Sequence, residues 1–157
     1  GQREQAGAGV ACIFNKNIKS SIRSWAYISE RILTVELKKE GISGRETIIT
    51  AYGPNDDEKA AIKDDFWDLL QITVDNSKGK IYILGDLNAR VGRNNLGIED
   101  ILGIHRENTL NNNGRRLIDF CQINNLVISN TLFEHKDIHK FTRVMTSRNE
   151  KSIIDYI

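Results

Sequence analysis

Residues Ile81-Tyr82-Ile83-Leu84 form an unbroken apolar run that ends in Gly85-Asp86-Leu87-Asn88, an acid followed two residues later by an amide. Such a run bounded by a glycine predicts a strand covered on both faces, with Ile81 and Ile83 on one side and Tyr82 and Leu84 on the other. A strand of this kind belongs in the middle of a sheet, so the rest of the chain must supply its neighbours. Gly85 lets the backbone turn, and a two-residue period carries Asp86 and Asn88 to the same side. Carboxylate and amide groups at the mouth of a buried strand suit magnesium and phosphate chemistry. A plain turn closed by an Asx hydrogen bond explains the same residues equally well.

The chain has 157 residues, enough for one domain with an ordinary core. Its hydrophobic fraction of 39% and charged fraction of 27% match a soluble globular protein. No apolar run reaches the roughly 18 residues of a membrane helix, and no secretory signal opens the chain. A formal net charge of +1 excludes a whole-molecule field that would draw in nucleic acid, so any such attraction is local. Cys12 and Cys121 are isolated thiols without metal-clip spacing, as in a reduced, intracellular protein. The chain opens on Gly1 and stops at Ile154-Asp155-Tyr156-Ile157, inside a strand-like pattern. It therefore reads as a fragment, one core strand short at each end and marginally stable.

Along the chain, Val10 to Phe14 is a short strand candidate, and Asn15 to Ser29 is mixed, anchored by Ile18, Ile22 and Trp25. Arg31 to Leu37 alternates as a half-buried strand, with Leu33, Val35 and Leu37 on one face. Lys38 to Arg45 is a hairpin loop, and Glu46 to Tyr52 is the partner strand, stopped by Gly53-Pro54. Asn55 is placed as a helix cap, with Asp56, Asp57 and Glu58 in the first turn and Glu58 completing a capping box. The acids are thereby assigned to a helix start and not to a metal site. Ile62, Phe66, Leu69 and Leu70 form that helix's apolar stripe. Ala89 to Asn113 is a long loop, too polar for a core and of a length that suggests function. Gly114 opens a second helix bearing Leu117, Ile118 and Cys121, ended by Asn124-Asn125. Leu126 to Ser129 is a strand leading to Asn130-Thr131, and a last pair is expected near Phe141-Thr142 and Ile153 to Ile157. Strands with two inserted helices indicate an α+β or layered α/β sandwich.

Four signals fall in order at strand ends: Tyr52-Gly53-Pro54-Asn55, Gly85-Asp86-Leu87-Asn88, Asn130-Thr131 and Ile154-Asp155-Tyr156-Ile157. In this order and spacing the chain resembles the endonuclease/exonuclease/phosphatase superfamily, the magnesium-dependent fold of abasic-site endonucleases and deoxyribonuclease I. Within it, the run from Asn112 to Cys121 and the segments Phe133-Glu134-His135-Lys136 and Ile138-His139-Lys140 are similar to endonuclease domains of non-LTR retrotransposons. Craniofacial-development-protein-2-like sequences derived from them share these segments. The resemblance implies a DNase I-like domain over residues 1–157, two mainly antiparallel sheets flanked by helices and truncated at both ends. It implies magnesium or manganese as cofactor, DNA as substrate, no membrane, and a reverse transcriptase fused in the full-length protein.

By the same resemblance, Asp86 matches the aspartate that activates the attacking water and would be the metal ligand in this chain. Asn88 matches the amide that holds the scissile phosphate or water, and Tyr52 a tyrosine whose hydroxyl contacts the phosphate. Asp155 matches an acid that orients a catalytic histidine. Such cleavage needs an in-line nucleophile, neutralisation of growing charge and a hard cation with oxygen ligands.

The departures are equally specific. The family's metal glutamate and a partner asparagine precede the point matching Val10, Glu4 lies too close to that strand to serve, and the Ser-Asp-His segment lies past Ile157. Arg143 stands where retrotransposon relatives carry tryptophan, and Ile153 where many carry a polar residue. An inactive fragment is the expectation. His105, His135 and His139 lack a third ligand at a known spacing and read as solvated or hydrogen-bonded. Lys136, Lys140, Arg143, Arg148 and Lys151, with Arg90, Arg93, Arg115 and Arg116, either line a phosphate-binding face or belong to a mixed-charge surface offset by Glu134, Asp137 and Glu150. Arg115, Arg116, Asn130 and Thr142 are the substrate-binding candidates. Two other functions stay open: a non-enzymatic nucleic-acid-binding scaffold, domesticated or decayed, and a phosphatase of the same superfamily.

Overall fold

The computed structural model describes residues 9–38, 44–93 and 97–157. Glu4, the centre of the 38–45 hairpin loop and part of the 89–113 loop lie outside the described residues. An α+β fold is built on a mixed five-stranded sheet and a two-stranded hairpin. The large sheet contains β1 (Ile22–Ser29), β2 (Ile32–Lys38), β3 (Arg45–Ala51), β4 (Lys80–Asp86) and β7 (Asp155–Tyr156), in the order β1-β2-β3-β4-β7. β5 (Arg143–Met145) and β6 (Glu150–Ser152) form the hairpin. Pairing is antiparallel except between β3 and β4, which run parallel with Thr50 beside Leu84. A parallel pair needs a crossover, and α1 (Ala60–Asn76) supplies it.

β2, β3 and β4 form where alternation and β-branched residues predict them, and Lys38 pairs with Arg45 across the hairpin. Elsewhere local pattern yields to tertiary context. Val10–Phe14 forms no strand; Cys12 touches Thr50 through a 2.6 Å Sγ–Oγ1 contact while Ile13 is exposed. The strand there is β1, within the stretch whose polarity suggested irregular structure, and Trp25 is 69% exposed on this edge instead of anchoring it. Leu126–Ser129 is not a strand either: Ile128 makes one isolated bridge to Leu102, and a 3-10 turn, Ser129–Thr131, follows. The last strands fall at β5, β6 and β7, displaced from Phe141-Thr142 and shorter than Ile153–Ile157.

α1 starts at Ala60, five residues after Asn55, and Lys59 gives its cap position no side-chain bond. Only half of the capping box forms, with the Asn55 N–H donating to Glu58 Oε1 at 3.2 Å, so the acids occupy a turn before the helix. The buried stripe is Lys63, Phe66, Trp67, Leu70, Thr73 and Val74; Ile62 faces out. α2 (Asn112–Asn124) is capped by Asn111, whose side chain accepts from Gly114 N at 2.7 Å, and ends on left-handed Asn125. It buries Leu117, Ile118, Phe120 and Cys121. A short α3 (Asp137–Lys140) precedes the hairpin.

The 89–113 loop is not too polar for a core: Ala89, Val91, Ile98 and Leu102 belong to the main cluster with Ile49, Leu70 and Leu117. β4, in turn, is less covered than its apolar run suggests. β7 flanks it only at Gly85 and Asp86, Tyr82 is 42% exposed, and among the described residues an apolar groove of about 410 Å³ opens beside Ile81, Ile83, Leu126 and Tyr156. No helix among the described residues is long and apolar enough to cross a membrane.

Candidate active site

The parallel register of β3 and β4 brings two strand exits side by side. Gly53 N donates to Asp86 O at 2.8 Å, placing the Tyr52-Gly53-Pro54 and Asp86-Leu87-Asn88 segments against each other. Gly85 permits the approach: its φ is +142°, and a Cβ there would meet the Ala51 carbonyl oxygen at 2.0 Å. β7 then closes the other side, with Asp155 directly across from Asp86.

Asp86 is half-buried, and its Oδ1 accepts from Asn88 N at 2.8 Å. Burial pushes its carboxyl above the ordinary range; the Asn88 N–H pulls it down, the Asp155 charge raises it further, and Arg143 lowers it. Asn88 adopts φ +48°, so the strand period stops before it and the Asx turn forms at a site where two acids already meet. Its side-chain amide points inward and donates to Gly53 O at 3.0 Å. Arg31 lies over the Tyr52 ring, 5.3 Å from its centroid, and donates to Tyr52 O at 3.3 Å.

Asn130 and Thr142 converge on Asp155 through its backbone. Thr142 Oγ1 accepts from Ile154 N at 3.1 Å and Asp155 N at 3.3 Å. Asn130 Nδ2 donates to Asp155 O at 3.3 Å, and its Oδ1 accepts from Ile157 N at 2.8 Å. Both therefore position the β7 acid. Arg115 and Arg116 lie on α2 outside the cleft described below; Arg115 is exposed, and Arg116 pairs with Asp64 of α1 at 2.7 Å. His135 and His139 are exposed, and His105 is tied by its backbone N–H to Thr131 O. The Arg148 side chain lies outside the described ones. The Cys121 thiol is pushed up to about 12 by burial and is unsuited to nucleophilic work.

Next to Asp86 and Asp155, outside whose lining both fall, a polar cleft of about 470 Å³ opens between Asn88, Asn111, Asp57, Arg143 and Ser152. Its floor rests on residues that sequence inspection did not single out. Asn113 is fully buried, and its Nδ2 donates to Pro54 O at 2.8 Å and Asn88 O at 3.3 Å, joining both strand exits to the start of α2. Glu107, also buried, accepts from Arg90 Nε at 2.8 Å and from Ile153 N at 2.9 Å. Arg90 is also bonded to Glu150. Gly114 allows the contact, since a Cβ there would lie 1.9 Å from Arg90 O. The sequence places the start of α2 at Gly114; the cap is Asn111, and Asn113 is the buried amide.

The donor chemistry fits a magnesium ion, which takes one or two carboxylates and completes its shell with water and substrate oxygens. Asp86 and Asp155 are two carboxylates of that kind; among the described residues no cluster of three or more His, Cys, Asp or Glu suits an all-protein metal cage.

Comparison with known proteins gives the class first. Over 82% of this chain and 49% of its own length, the solved endonuclease domain of TRAS1, a telomere-specific non-LTR retrotransposon, superposes with a TM-score of 0.51 at 14% identity. The fold is thus nuclease-like. Craniofacial development protein 2 of Bos taurus and that of Tragulus javanicus are each 33% identical over the whole chain, and the chain spans about a quarter of their length. No protein-family profile matches. The chain is related throughout to craniofacial development protein 2, as its sequence resemblance implied.

Proposed function

We propose that the chain carries the Asp86 half of a magnesium-dependent phosphodiesterase centre, of retrotransposon origin, whose substrate is DNA. The observation that carries this reading is the placement of Asp86 directly across from Asp155 at the exit of β4, beside a polar cleft, in a chain with a nuclease-like fold. The whole domain is proposed to be a layered sandwich of two sheets with helices outside, associated with a reverse transcriptase. Bound at Asp86, the metal ion would supply Lewis-acid neutralisation of a phosphoryl oxygen. Asp86, held by the Asn88 N–H, orients the attacking water, and Tyr52 meets the phosphate through its hydroxyl. On its own the 157-residue chain is proposed to turn over slowly at most, because among the described residues no group of three or more His, Cys, Asp or Glu is placed to hold a metal ion.

Plasmid nicking with magnesium tests both parts. Little nicking by the chain, with magnesium binding lost in Asp86→Ala, is expected. Robust turnover abolished by Asp86→Ala would overturn the inactivity and keep the centre; robust turnover that survives Asp86→Ala would remove Asp86 from it. One observation favours the second reading, a non-catalytic nucleic-acid scaffold: the Asn88 amide is committed to Gly53 and not turned toward the cleft.

A further inference from the structure

Two arginines line the cleft beside Asp86, and their environments differ. Arg90 is fully engaged, its guanidinium bonded to Glu107 and Glu150. Arg143 is exposed and makes no side-chain hydrogen bond or ion pair among the described residues. The acids of the wall divide in the same way. Glu150 faces Arg90, and Asp56 lies 3.9 Å from the buried Lys63, which leaves Asp57 as the acid of the wall with no ion pair among the described residues.

Arg143 is also held in place. It opens β5 opposite Ser152 of β6, and the residue before it, Thr142, accepts from Ile154 and Asp155. The guanidinium is thus carried by the residue next to the one whose hydroxyl fixes the β7 acid. Its charge reaches the Asp86 carboxyl. A phosphodiester approaching two neighbouring carboxylates is repelled unless a cation faces it, and a planar guanidinium with free donors suits phosphate oxygens.

We propose that the cleft is a subsite for one backbone phosphate of a nucleic acid, and that Arg143 is the cation that anchors it. This rests on the nucleic-acid reading above and deepens it. Arg143 is a binding and positioning residue: it sets where the backbone lies relative to Asp86 and takes no part in bond making.

The test is binding of a labelled DNA duplex to the 157-residue chain, followed by anisotropy without divalent metal across a salt series. Arg143→Ala should weaken binding about 3- to 10-fold at low salt and flatten the log–log salt slope by about 0.9, one phosphate contact. Arg143→Lys should restore the slope but only part of the affinity, because an ammonium binds as a point charge. Lys38→Ala removes an exposed charge at the opposite end of the sheet, where Lys38 pairs with Arg45, and should change nothing. Unaltered affinity in Arg143→Ala, with the parent chain still binding, would overturn the subsite and leave the nucleic-acid reading intact. An equal loss in Lys38→Ala would also overturn it, by showing diffuse charge. No binding by the parent chain would overturn both. Arg143→Ala should melt close to the parent, since among the described residues its side chain makes no hydrogen bond or ion pair to lose.

Discussion

Asn88 donates its side-chain amide to the backbone oxygen of Gly53 at 3.0 Å, locking the exit of β4 to the exit of β3. The bond is buried and depends on a left-handed backbone, φ +48°, that asparagine tolerates and alanine does not. Asn88→Ala should cost about 2–4 kcal/mol, from a buried carbonyl left with only a long 3.4 Å bond from Arg31 and from a strained backbone. Asn88→Gly loses the same bond without the strain and should recover about 1 kcal/mol of that. Urea titration checks the order, parent above Gly above Ala; equal stability of the two variants would count against backbone strain.

Asp86 makes stability depend on pH in a direction set by its raised carboxyl. Below the ordinary value of 3.8, folded and unfolded chains both hold the proton and the group contributes nothing. As pH rises past it the unfolded chain ionises first, so stability falls until the folded group has also ionised, and then stays level. Asp86→Asn keeps the acceptor for Asn88 N and removes the cost. At neutral pH it should raise Tm by no more than about 2–4 °C, a ceiling set by the group's partial solvent screening. The difference should vanish below about pH 4. A melting series from pH 3 to 8 decides it, and a variant less stable at pH 7 would refute the burial cost.

How far the sequence discloses this site depends on whether the signal is local. The β4 exit is legible because apolar residues, Gly85 and Asp86 follow one another along the chain. α2 is legible because its stripe and its Asn125 terminus are close neighbours in sequence, although it starts at Asn112, two residues before the Gly114 that the sequence suggests. The orientation of Asn88 is not, since its partner Gly53 lies 35 residues away and the left-handed turn breaks the strand period. Nor is the burial of Glu107, a charged residue in a polar loop whose partners Arg90 and Ile153 meet it only after folding. α1 was placed too early because Asn55 and Glu58 form half a capping box at a turn that the helix does not continue.

Asn113 joins both strand exits to α2 from a position with no solvent exposure. Its Nδ2 bonds Pro54 O and Asn88 O, while its Oδ1 has no hydrogen-bond partner among the described residues. Asn113→Leu would take the donor from Pro54 O and leave Asn88 O with the Asn111 amide at 2.9 Å, and it should cost about 2–4 kcal/mol. Asn113→Asp replaces the donor by a carboxylate facing two carbonyls, so it should be worse at neutral pH and partly recover in acid. Thermal melts at pH 7 and pH 4 compare them; an aspartate variant insensitive to pH would show that the amide does not face those oxygens.

Arg90 and Glu107 carry the last prediction, because breaking and replacing a buried pair give different results. Side-chain exposures of 16% and 4% mean that neither charge is well solvated, and the two meet at 2.5 Å. Glu107→Ala leaves the guanidinium with the more exposed Glu150 and a long 3.4 Å bond to Lys151 O, and removes the acceptor of Ile153 N; it should cost about 3–5 kcal/mol. Arg90→Met with Glu107→Leu removes both charges together, so no buried ion is stranded, and the double variant should be more stable than Glu107→Ala by at least about 1 kcal/mol. The Ile153 N–H stays unpaired in both, which is why full recovery is not expected. Urea titration at matched m-values measures the three chains. A double variant as unstable as Glu107→Ala would place the whole loss on the Ile153 bond and none on the stranded arginine.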